Sequence, residues 1–375
     1  NYHGRRLNVD RLDRVGAGYV GRHEPDLIHF PDLWFRGIEL TTGPDGSVYV
    51  LEWSDIGECH DNDGIHRHSG VVYRISYGQT PPPSVAIDLY RQSESQLLPQ
   101  IHSPNAWIAR QARLLLAERA SRGEISEGTI HHLSTQLQAA RDPLQRLAAM
   151  WTLAHCQKLD QSMLNKALND PHEHVRIQAI QLLADPSSFS DDITPALAGL
   201  MAEEPSDLVA LHVASALQRV HGSRWWEVMA QLTQRRHLTN DRDYPLMLWY
   251  ALRKPLLVEP EAGLGWLREL DRKSTESPSS SSQPLPFADK LVRFAARQWA
   301  SQLPGDPQPV NELLTLASTA STRFQLEVLR GLDLGLLGRS RVASPATWSV
   351  FAASLSEQAP AETQELSLRL GTLFG

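Results

Sequence analysis

The sequence predicts a mainly α, α+β chain in more than one domain, with a short antiparallel β-meander first and an α-solenoid of helix pairs after it. Three observations predict this. Apolar residues alternate with period two between residues 37 and 77, the period lengthens to about 3.6 beyond residue 105, and a proline run separates the two regimes. At 375 residues the chain is long enough for two cores.

The first 30 residues carry Gly16, Gly18 and Gly21, which predict a loop. "GIELTT" and "SVYVLEW" then place β-branched or aromatic residues at alternating positions, and the intervening Gly43–Gly46, "GPDG", predicts a turn. A third strand follows in "GVVYRISYG", with Val71, Tyr73, Ile75 and Tyr77 on one face. Three such strands are not stable alone, and the chain before them is too short to supply their neighbours. "TPPPS" (80–84) opens a stiff linker over 80–104, which leaves 1–79 and 105–375 as the two parts.

Beyond the linker, 105–119, 142–155, 170–185 and 206–220 carry apolar residues at helical spacing. Two of these open with Asp-Pro, in which Asp caps the helix and Pro occupies its first turn. Aligning the small residue central to each stripe, Ala112, Ala149, Ala179 and Ala214, gives separations of 37, 30 and 35 residues. With second helices between them, as in "EGTIHHLSTQLQAA" and "DDITPALAGLMAE", this is the period of an α-solenoid; a non-repetitive helical bundle is the alternative. Paired helices continue through 224–236, 244–253, 289–302, 311–319, 323–337 and 348–355, while the serine-rich insert 274–286 predicts a disordered surface loop.

Lys plus Arg is 36 and Asp plus Glu is 43, so the net charge of −7 argues against nucleic acid or an anionic membrane as a partner. No apolar run is long enough to span a bilayer. The two cysteines, Cys59 and Cys156, are too few and too far apart for a disulfide framework. A chain that opens on Asn1 and ends in "ELSLRLGTLFG" reads as an internal piece of a longer protein.

The densest chemistry lies in "WSDIGECHDNDGIHRHSG" (53–70). Asp61 and Asp63, with Asp55 or Glu58, resemble the opening of a calcium loop, although Ile65 and Val72 stand where an EF-hand requires oxygen ligands. Cys59, His60, His66 and His68 have the ligand types of a zinc site but match no finger spacing, and they remain candidates for the wall of a pocket. A polar loop bonding its own backbone is the third reading. No second thiol precedes Cys59 and His60 at the spacing covalent haem needs.

Residues 32–78, followed directly by helix pairs, resemble the end of the β-propeller in planctomycete-type membrane-bound dehydrogenase-like, haem-binding proteins. That propeller is similar to those of quinoprotein glucose and sorbosone dehydrogenases. The resemblance implies that 1–79 is the C-terminal blade of a propeller and 105–375 a HEAT-like solenoid. It also implies a secreted or periplasmic, envelope-associated oxidoreductase, with PQQ, calcium and haem c as cofactors of the full-length parent. Its partners would be the upstream blades and a downstream cytochrome c domain or other redox partner. No catalytic or cofactor-binding residue transfers to this sequence. A non-enzymatic scaffold binding protein or polysaccharide is the competing reading.

Among the remaining residues, His131, His132, His172 and His174 read as solvent-facing, and Cys156 as a buried small hydrophobe beside His155. Trp225, Trp226, Trp249 and Tyr250 read as core, with an aromatic contact surface as the alternative.

Overall fold

Two strands of mixed charged and apolar residues open the chain as a hairpin, β1 (Arg6–Val15) and β2 (Gly18–His29). Gly16 sits in the turn at φ +57°, a left-handed backbone that favours glycine. Gly18 and Gly21 lie in β2, so the expected loop shrinks to the turn. Arg22 and Arg11 both bind Asp13, and Arg11 also reaches Glu24, which ties the two strands together. The structure, a computed structural model, describes residues 3–53, 70–78, 88–185, 192–275, 286–303 and 305–375.

The predicted meander forms as β3 (Gly37–Thr42), β4 (Val48–Glu52) and β5 (Val72–Ile75), antiparallel and in that order. Leu40 pairs with Val50, and Val50 with Tyr73; a bulge lies between Gly37 and Glu39. The β3–β4 turn closes through the Gly46 N–H on Gly43 O at 3.0 Å, with Gly46 at φ +78°. Leu7, Phe35 and Val50 are buried at the centre of a small core completed by Ile28, Phe30, Val48, Tyr73 and Ile75. Phe30 stacks on Phe35 with centroids 3.6 Å apart. Neighbours for the meander therefore do come from the preceding chain, because the base of the β1–β2 hairpin supplies Leu7 and Ile28 to the same face. Val71 and Tyr77, expected on that face, are exposed.

The chain divides into two compact units, Asn1–Val15 with Tyr19–Gln178, and Gly16–Gly18 with Ala179–Gly375. Compactness thus groups the first helices with the strands, where the sequence reading separates them at 80–104. Within that stretch, helix α1 (Glu94–Gln100) starts from a capping box of Ser93 and Gln96. It is followed by α2 (Ala106–Ser121), α3 (Glu127–Ala139), α4 (Pro143–His155), α5 (Gln161–Ala167) and α6 (Glu173–Leu183). In this unit α2 lies against α1 and α4, and α3 against α1 and α4.

Caps fix the helix starts. The Asn105 side chain accepts from the Trp107 N–H at 2.9 Å, and its amide donates to Pro44 O at 3.0 Å, joining the β3–β4 turn to α2. Asp142 caps α4 as predicted, with Pro143 in the first turn. The second Asp-Pro differs. Asp170 accepts from His172 N–H while Arg146 binds both of its carboxylate oxygens, at 2.7 and 2.8 Å, so α6 begins only at Glu173.

The second unit holds α7 (Thr194–Glu203), α8 (Asp207–Ala216), α9 (Trp225–Leu232), α10 (Tyr244–Leu252), α11 (Pro255–Val258), α12 (Pro260–Thr275), α13 (Pro286–Gln302), α14 (Gln308–Ala317), α15 (Thr322–Gly335), α16 (Trp348–Ser354) and α17 (Ala361–Phe374). Contacts run in two series, α8–α10–α13–α15–α17 and α7–α9–α12–α14–α16. The aligned alanines 112, 149, 179 and 214 are all fully buried, as a shared register requires. Most of insert 274–286 lies outside the described residues, although α12 reaches Thr275 and α13 begins at Pro286. The fold is mainly helical, with small antiparallel sheets on the N-terminal side.

Candidate functional site

Strands β4 and β5 hold the two ends of the acidic stretch together. The Glu52 N–H donates to Val71 O at 3.1 Å, and the Trp53 N–H to Arg36 O at 2.8 Å. Asp55, Glu58, Asp61 and Asp63, together with Cys59, His60, His66 and His68, lie outside the described residues. What the described residues form is the root of that stretch.

Glu52 is the root's main polar group. Its side chain is buried beside the Tyr73 phenol, and Oε2 has no hydrogen-bond partner among the described residues. Burial first, then the neighbouring Glu52 carboxylate and the negative charge of Asp32, push the Tyr73 phenol up to about 12. Tyr73 therefore remains a donor at any physiological pH. Arg36, also buried, donates from Nη1 to Leu33 O at 3.1 Å and Phe35 O at 3.0 Å. A buried carboxylate beside a phenol can accept a hydrogen bond or bind a cation. Sequence reasoning placed Tyr73 on the strand face with Ile75 but did not bring it to Glu52. The signal was present in the alternation, which turns Tyr73 inward opposite Val50.

At the other end of the sheet the polar groups satisfy one another. Asp45 accepts from the Ser47 N–H and hydroxyl at 3.1 and 3.0 Å and pairs with Arg74 at 2.6 Å, while Ser47 also meets Ser76. Burial raises the Asp45 carboxyl, but the Ser47 hydrogen bonds, Arg74 and Tyr49 outweigh it and hold the group below the usual carboxylate range. The hairpin is similar: Asp26 accepts from Asn8 and lies within ion-pair distance of Arg6, His23 and His29. Both clusters anchor strands. Among the described residues no group of three or more His, Cys, Asp or Glu side chains could hold a metal ion.

The remaining candidates separate by burial. His131 and His132 are exposed; His172 and His174 are half-buried with rings 5.5 Å apart. Cys156 is buried, and burial above all pushes its thiol up to about 11, so it is an unreactive core residue. The aromatic set divides in two. Trp225 is core and donates to Leu217 O at 3.1 Å, whereas Trp226, on the same helix, is half-buried and donates to Glu259 at 2.8 Å. Trp249 and Tyr250 belong to α10, where Trp249 meets Phe294 of α13 with centroids 5.1 Å apart.

A device that sequence reasoning missed recurs between successive helix pairs. Glu94 accepts from the Ser126 and Thr129 hydroxyls, Asp192 from those of Thr194 and Ser223, and Asp271 from that of Ser321. Each carboxylate ties the start of a later helix to an earlier pair. Burial raises the Asp192 carboxyl, but the Thr194 and Ser223 hydrogen bonds prevail and hold it at about 2. Among the described residues no helix is long and apolar enough to cross a membrane. No family model, curated protein or solved structure matches the chain.

Proposed function

We propose that this chain is part of a secreted or periplasmic dehydrogenase-like electron-transfer protein. In this reading residues 1–79 form the last blade of a β-propeller of the quinoprotein type. Residues 105–375 form a HEAT-like solenoid that spaces or docks the propeller to a haem domain elsewhere in the parent. The observation that carries the reading is the order of parts: a three-stranded meander with an acidic stretch between its last two strands, followed by helices stacked in two series.

PQQ and haem find no fit among the described residues, since these offer neither a cluster of ligands nor an accessible thiol. Calcium, if the parent holds it near this blade, would draw on Asp55, Glu58, Asp61 and Asp63, with Glu52 at the root as a further carboxylate. The test is quinone- or dye-linked oxidation of sugars by the full-length parent, with and without calcium. Activity requiring both quinone and metal supports the reading. An upstream region without further propeller blades, or a parent inert in every such assay, rules it out in favour of a binding scaffold.

A further inference from the structure

On the α8–α10–α13–α15–α17 side of the second unit, most arginines are neutralised across helices. Arg293 meets Glu327 at 2.6 Å, Arg330 meets Glu327 and Glu362, Arg323 meets Asp289, and Arg369 meets Asp333. Several cations depart from this rule, among them three on or next to α10 and α13. Arg253, Lys290 and Arg297 are exposed and have no carboxylate partner among the described residues.

These three surround an aromatic patch. Leu246, Trp249 and Tyr250 on α10, with Arg253 at its C-cap, fall at i, i+3, i+4 and i+7, and Lys290, Phe294 and Arg297 at i, i+4 and i+7 on α13, so each set shares one helix face. The Trp249–Phe294 ring contact joins the two faces, and the Gln298 side chain fixes the register by donating to Arg253 O at 2.7 Å. Leu246 and Tyr250 are 44% and 47% exposed, which leaves apolar surface open between the cations.

We infer that this α10–α13 face docks an acidic amphipathic segment of a partner protein. Its apolar side chains would lie on Leu246, Trp249, Tyr250 and Phe294, and its carboxylates would pair with Arg253, Lys290 and Arg297. Charge complementarity decides the class of occupant. The chain as a whole carries −7, so its field repels a long polyanion, while three adjacent cations suit the few carboxylates of one amphipathic turn or two. Trp, Tyr and Arg are also the residue types that carry most binding energy in protein interfaces. The inference rests on the proposed function only in taking the helical part as a docking surface, and it requires no haem domain.

The test uses the whole 375-residue chain and three fluorescent probes: a peptide with leucines on one helical face and glutamates flanking them, the same peptide with lysines in place of glutamates, and a single-stranded oligonucleotide. The acidic peptide should bind, Arg297→Glu should weaken it by at least about tenfold, and Trp249→Ala should weaken it comparably. Arg297 is exposed, so its variant should retain the wild-type circular dichroism and melting temperature. No binding of the acidic peptide, equal binding of both peptides, acidic-peptide binding indifferent to Arg297→Glu, or preference for the oligonucleotide would each overturn the inference. Dye reduction by the parent is a separate readout, so failure of one reading is distinguishable from failure of the other.

Discussion

The β3–β5 sheet and the α13–α15 pair are both apolar, yet they treat water differently. Trp299 on α13 is fully buried, its indole N–H on Leu256 O at 3.0 Å, and Gly331 and Gly335 let α15 approach α13 so closely that added Cβ atoms would run into Arg293 O and Arg297 O. In the sheet, Leu51 and Val72 pair directly across β4 and β5 and remain exposed, as do Trp53, Ile38 and Leu40. An antiparallel sheet with one wet face normally turns polar residues outward. The α13–α15 contact is closed to water, whereas the outer face of the sheet mixes the exposed Leu51, Trp53 and Val72 with Glu39, Thr41 and Arg74.

Substitutions of equal chemistry in the two regions should break or sharpen this contrast. Trp299→Ala, which removes a buried indole and strands Leu256 O, should cost about 3–5 kcal/mol in urea unfolding of the second unit. Gly331→Val should follow, at about 1–3 kcal/mol, because the backbone of α13 must shift to admit the side chain; a loss near zero would mean the helices separate easily.

Asp192→Asn tests a smaller, pH-dependent effect. Its folded carboxyl lies at about 2, below the unfolded value, so its contribution is present above about pH 4 and lost as pH falls towards 2. The group is exposed, so less than about 1 kcal/mol is expected. The variant should have a flatter acid limb in melts between about pH 4 and 2. Trp53→Ala, on the open sheet, should change stability least, by under about 0.5 kcal/mol. A loss rivalling that of Trp299→Ala would erase the contrast.

Legibility followed the same division. Helix periodicity, the Asp142 cap and the buried alanine register could all be read from the residues, because each depends on neighbours within a few turns. The meander's strands and its Gly46 turn were legible for the same reason. The Asp170 pairing that delays α6, the Glu52–Tyr73 contact and the carboxylate ties between helix pairs were not legible. They join residues more than twenty positions apart, which no local pattern encodes. Nor could the sequence separate Trp225 in the core from Tyr250 at the surface, since both lie in stretches of similar hydrophobicity.

Backbone amide hydrogen exchange, compared between the 375-residue chain and the longer propeller-containing parent proposed above, tests the central claim most directly. The account predicts slow exchange in α8, α10, α13 and α15 in both, with β3, β4 and β5 exchanging fast in the chain alone and slowly in the parent, where further sheets would cover Leu51 and Val72. Strands equally protected in both would contradict it, because the sheet would then need no neighbouring blades.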